Sequence, residues 1–171
     1  DFLYATGATA DTHHPTIDFT DNTKDNGRDC SFHHCMSQIT LTFEAGSGIS
    51  FTAVKPVSYK LSGLTLTGSF DTETGVAKAD ENAQAADLTM GLGGALTSSV
   101  ILFPQTITSI DLTVNFNDND YNATLTVPDG ALKAGNNYTY TVTVRNKDLS
   151  IESAKITDWN PVTGGNVSAD L

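Results

Sequence analysis

The chain has 171 residues, a length for one domain with a single sizeable core. Its formal net charge is −11, from nine Lys and Arg against twenty Asp and Glu, and it holds two Cys. This balance excludes a basic footprint for nucleic acid, attraction to an anionic membrane surface and a disulfide scaffold. No run of eighteen apolar residues is present to span a bilayer. Sixteen of the acids are Asp, and Thr occurs twenty-five times. Asp favours turns and Thr favours strands, so the composition predicts an all-β chain with acidic turns. The chain opens at Asp1 with neither Met nor leader, which leads us to expect more protein upstream.

Residues 11–29 are rich in His, Asp and Asn around a short strand candidate at 17–19. Phe32, His34 and Met36 then alternate in one parity and Ile39, Leu41 and Phe43 in the other, so an irregularity is expected near Ser37. Tyr59 and Leu61 lead into Ser62-Gly63, then Leu64, Leu66, Gly68 and Phe70, and residues 71–75 close a turn. Residues 76–99 are Ala-, Gly- and Asp-rich with weak periodicity. They predict either a short helix near 80–87 or an extended surface excursion. Val100-Ile101-Leu102-Phe103 is a continuous apolar run, expected to be buried on both faces and stopped by Pro104.

Strict alternation dominates the second half. Ile110, Leu112, Val114 and Phe116, a polar turn at 117–120, then Tyr121, Ala123, Leu125 and Val127 predict a hairpin. Tyr138, Tyr140, Val142 and Val144 alternate with Thr139, Thr141 and Thr143, giving one apolar face and one threonine ladder. A last strand at 149–156 shifts parity between Ile151 and Ala154. The stretch Leu132-Lys133-Ala134-Gly135-Asn136-Asn137-Tyr138 has the pattern of a tyrosine corner, with Tyr138 pinning a crossing between sheets. Trp159 is expected to be a buried anchor. The architecture read from this is an antiparallel Greek-key β-sandwich of about seven strands.

Cys30-Ser31-Phe32-His33-His34-Cys35 places two thiols and two imidazoles together. On a strand they point alternately to opposite faces, so they cannot close a zinc tetrahedron, and a Cys30–Cys35 disulfide is disfavoured. Residues 21–29 have the composition of a calcium loop, but Lys24 and Arg28 sit among the ligands and Phe32 stands where a Glu belongs. Neither H-E-x-x-H nor G-x-S-x-G occurs. We expect no catalytic residue, no metal and no cofactor.

Five stretches together resemble the fimbrillin superfamily of Bacteroidales surface proteins. They are Asp1-Phe2-Leu3-Tyr4-Ala5-Thr6, Phe32-His33-His34-Cys35-Met36-Ser37-Gln38-Ile39, Ile101-Leu102-Phe103-Pro104-Gln105-Thr106, Gly135-Asn136-Asn137-Tyr138-Thr139-Tyr140-Thr141-Val142 and Ile156-Thr157-Asp158-Trp159. Gln38 departs from the usual Lys, and the polar stretch at 21–29 is longer than usual. The resemblance implies a transthyretin-like sandwich, the second of two domains, with a lipid anchor on the upstream part. It implies residues 1–15 as an inter-domain connection or arm, 16–160 as the sandwich and 161–171 as a tail. It also implies a subunit of an outer-membrane-associated fimbria on the cell surface, partnered by other fimbrial subunits through strand exchange. Val167, Ala169 and Leu171 form one apolar face after a flexible break and are the strand-exchange candidates. The alternative is a surface module binding host protein or glycan, with Tyr4, Tyr121 and Trp159 as platforms; strand parity turns Tyr121 inward.

Overall fold

A computed structural model of the chain describes residues 1–5, 12–13, 31–145 and 148–159. Among these residues the chain is all-β apart from one 3-10 turn at Pro128–Gly130. The strand expected at 17–19, the polar loop at 21–29 and the tail residues Val167, Ala169 and Leu171 lie outside the described residues.

Two large sheets face each other. The first holds β3 (Ser37–Ala45), β8 (Thr97–Leu102), β13 (Asn136–Val144), β14 (Leu149–Ile151) and β15 (Lys155–Asp158). Its order is β14-β13-β3-β8, and β15 continues the β14 edge along the other half of β13. The second runs β11-β10-β4-β7, with β4 at Ser58–Leu64, β7 at Ala86–Gly91, β10 at Ser109–Phe116 and β11 at Asn119–Thr126. Nine strands thus build the two sheets among the described residues, against about seven expected. The excess comes from the break after Ile151, where the parity shift falls, and from β7.

The sandwich closes on one core. Ile39, Leu41, Leu61, Leu112, Leu125 and Val142 are fully buried in it. Between them on β3 and β13, Thr40, Thr42, Thr139 and Thr141 turn outward, and Thr40 bonds Ser99 and Asn137 at 2.9 and 3.0 Å. Two phenols cross between the sheets. Tyr140 donates to the Thr126 carbonyl at 3.0 Å, and Tyr59 shares a 2.9 Å bond with Ser98. These satisfy polar groups that the core would otherwise strand.

Four expectations are corrected. No helix forms near 80–87: Asp80 caps a turn, accepting from Asn82 N–H at 3.0 Å, and Ala86, Leu88 and Met90 then turn half-inward along β7. Ile101 is 42% exposed, because the outer face of edge strand β8 has no covering layer among the described residues. The 110–127 hairpin turns on Asn117 and Asp118 alone, with φ of 51° and 59°, while Asn119 and Asp120 already pair with β10. Two residues at positive φ match the twist of a tight hairpin, which a four-residue loop does not need. The two longest strands, β3 and β13, pair parallel from Asn137↔Gln38 to Val144↔Ala45. Parallel neighbours need a long crossover, and the intervening strands supply it.

Burial, reinforced by the Tyr138 phenol, pushes the Tyr140 phenol up to about 12. A folded value above the unfolded one favours the neutral phenol. Its contribution to stability is full below pH about 10 and is lost as pH rises towards about 12. A phenolate absorbance titration should therefore show a tyrosine ionising near pH 12, and Tyr140→Phe should remove that step. An unchanged titration curve would refute the assignment.

Candidate functional site

One end of the sandwich carries a second apolar cluster built on Cys35, Met36 and Ala77, with Tyr4, Phe70, Phe103 and Trp159 packed around it. Short elements assemble it. Strand β1 (Leu3–Tyr4) pairs with β2 (His33–His34) through Leu3↔His34 and Tyr4↔His33. A hairpin of β5 (Gly68–Asp71) and β6 (Val76–Ala79) supplies Phe70 and Ala77. Phe103 enters just before β9 (Gln105–Thr106), which pairs with β12 (Ala131–Leu132).

The first residues dock here through side chains. Phe2 stacks on Phe70 at 4.4 Å and 5°, and lies 6.4 Å from Phe103. Tyr4 meets Phe70 edge-on at 6.4 Å and donates its hydroxyl to the Glu73 carbonyl at 2.6 Å. The Tyr4 ring lies against Gly75, where an added Cβ would sit 2.2 Å from Cδ1, so only glycine leaves room. The turn under it is tied by Asp71, whose carboxylate accepts from Glu73 and Thr74 N–H at 2.8 and 3.3 Å and is held below its ordinary value by those bonds. Phe2 remains 39% exposed, Leu3 54% and Phe32 45%, so the end presents apolar surface.

His34 pairs through Nδ1 with the Asp1 carboxylate. An ionised carboxylate only accepts, so Nδ1 carries the proton. Burial lowers the His34 pKa. The ring lies flat on Trp159, with centroids 3.8 Å apart and planes 1° apart. The Trp159 backbone N–H donates to the Gly135 carbonyl at 2.7 Å.

The residues singled out from sequence separate in space. Tyr138 is fully buried; its hydroxyl donates to the Ala131 carbonyl and accepts from Lys133 N–H, both at 2.9 Å. Trp159 is half-buried and belongs to the smaller cluster, outside the main core. Tyr4 and Trp159 come to the same end of the sandwich, whereas Tyr121 packs against Phe116 at 6.3 Å. Cys35 is a free, buried thiol pushed up by burial, and its Sγ reaches the His33 carbonyl at 3.6 Å. Cys30 lies outside the described residues, and among those described no three His, Cys, Asp or Glu side chains could hold a metal. Sequence reasoning missed Phe2, Phe70 and Phe103 as partners. The spacing Phe2-Leu3-Tyr4 was a visible signal for one apolar strand face, but it named no counterpart.

Among the described residues, the distinctive surface of this β-sandwich is its apolar aromatic end. The chain belongs to the Fimbrillin-like family, whose profile matches residues 1–159. No curated protein sequence matches it. It is similar to a candidate cell adhesion protein of Bacteroides ovatus, at 30% identity and a TM-score of 0.64, over 90% of this chain and 61% of that one. A candidate cell adhesion protein of Bacteroides uniformis, at 20% identity and a TM-score of 0.66 over 75% and 52% of the two chains, shares the fold. So does the tip fimbrial protein Mfa3 of Porphyromonas gingivalis with C-terminal truncation, at 7% identity and 0.51 over 79% and 55%. The chain spans between about half and three fifths of the length of these relatives. Family membership supports a structural or adhesive surface role. Among the described residues no helix is long and apolar enough to cross a membrane.

Proposed function

We propose that this chain is the second domain of a structural, adhesive subunit of an outer-membrane-associated fimbria. Residues 1–15 connect it to the preceding domain, 16–160 form the sandwich and 161–171 form a tail. Its partners are other fimbrial subunits, joined by strand exchange in which Val167, Ala169 and Leu171 fill alternate pockets of a neighbour. The observation that carries this is the family match over residues 1–159.

The test uses the complete, processed protein. It should form concentration-dependent oligomers by light scattering, and deleting residues 165–171 should abolish them. A processed protein that stays monomeric, or oligomers indifferent to the deletion, would sink the assembly reading.

The meeting of Tyr4 and Trp159 at one end, beside exposed Phe2, favours a second reading as a module for host glycan or protein. Aromatic faces beside acids suit sugar rings. Binding of the complete protein to a glycan array, lost on Trp159→Ala, supports it; silence across the array counts against it.

A further inference from the structure

We propose that residues 1–4 form a strap that latches Trp159, so that docking of these residues and seating of Trp159 are one coupled equilibrium. The coupling runs through His34. Strap and tryptophan use opposite features of the same imidazole. The Asp1 carboxylate accepts from Nδ1–H, and Trp159 covers the ring face at 3.8 Å and 1°. The last torsion of a histidine is broad, so the hydrogen bond selects the ring plane that the stack requires. Without Asp1 in place the plane is free to turn, and the stacking contact is lost.

Each partner also has contacts of its own, and both reach the same apolar cluster. The strap has two ladder pairs and one further backbone bond, from Cys35 N–H to the Phe2 carbonyl at 2.9 Å. Its side-chain hold comes from Phe2 on Phe70, the Tyr4 ring against Gly75 and the Tyr4 hydroxyl on the Glu73 carbonyl. On the other side, all four residues of β15 are exposed, so Trp159 is the main apolar anchor at the end of that strand. A coupling of this kind is reciprocal: whatever displaces the strap loosens Trp159, and displacing Trp159 loosens the strap. It stands whether or not the tail inserts into a neighbour.

The experiment reads the one Trp of this 171-residue chain. Tyr4→Ala removes the strap's ring and hydroxyl. Gly75→Ala leaves the strap sequence intact but puts a Cβ 2.2 Å from the Tyr4 ring, at a φ of +72°. Exchange of Cys35 N–H reports strap docking, exchange of Trp159 N–H reports the latch, and exchange of Val142 N–H reports the sandwich. Tyr4→Ala should speed both Cys35 and Trp159 exchange about tenfold and leave Val142 unchanged. Acrylamide quenching of the Trp159 fluorescence should rise in parallel. His34→Ala should free Trp159 to the same extent. If Cys35 exchange accelerates in either strap variant while Trp159 exchange does not, the coupling is wrong. If neither variant moves Cys35 exchange, residues 1–4 are not a strap and the proposal fails with them.

Discussion

Leu112→Ala should lower the free energy of unfolding by about 3–5 kcal/mol and the melting temperature by about 10 °C. Leu112 is fully buried at the middle of β10, between Leu61 of β4 and Ala123 of β11 in register. Both neighbouring backbones are fixed by ladder hydrogen bonds, so the lining cannot close over the lost methyl groups. The facing sheet contributes Tyr138, Tyr140 and Val142, all held in their own register. The next residue is the control. Thr113 points out of the sandwich and bonds Asn122 at 2.9 Å in an exposed pair, so Thr113→Ala should cost within about 0.5 kcal/mol. Chemical denaturation measures both. A Leu112→Ala cost near that of Thr113→Ala would mean that the two sheets do not share a core.

The fold was legible wherever one face of a strand is wet. Ile110 to Val127 and Tyr138 to Val144 alternate because each strand touches core on one side and water on the other, and period two records that directly. The irregularities near Ser37 and after Ile151 were legible for the same reason, as changes of parity. β7 was missed because its inward residues include a small alanine, which blurs the contrast between faces. Ile101 was misread because an apolar run says that a strand is apolar, not that something covers it. The parallel pairing of β3 with β13 had no local signal, since register between distant strands is set by the whole topology.

The site was less legible, because its parts come from separate stretches. Tyr4 and Trp159 were picked out singly, but only the docking of β1 on β2 brings them to one end. The stretch Ile101-Leu102-Phe103-Pro104-Gln105-Thr106 is one of the five that carry the resemblance, and its chemistry is now visible. Phe103 enters the aromatic end. Gln105 acts as a surrogate strand partner, accepting from Thr65 N–H at 2.9 Å and donating to the Thr65 and Phe103 carbonyls at 3.1 and 3.2 Å. That side chain ties the segment after β4 to the segment after β8, and so fixes where Phe103 meets Phe2.

Tyr138→Phe should cost about 2–3 kcal/mol, more than Tyr140→Phe at about 1 kcal/mol, although each removes a single oxygen. The difference is in what each hydroxyl leaves behind. Tyr138 serves the Ala131 carbonyl and Lys133 N–H, the groups flanking buried Leu132. Removing it strands one acceptor and one donor together. The Lys133 carbonyl is itself occupied by Ser37 Oγ at 2.6 Å and by Asn136 N–H at 3.3 Å, so this segment has little freedom to seek other partners. Tyr140 serves only the Thr126 carbonyl, so its loss leaves one group unpaired instead of two. Denaturant unfolding with an unchanged slope isolates the stability term. A larger loss in Tyr140→Phe than in Tyr138→Phe would show that the corner does not pin the crossing into β13. With the expected order, one phenol holds together the segment from β12 to β13, the start of β3 and the Gly135 carbonyl on which Trp159 rests.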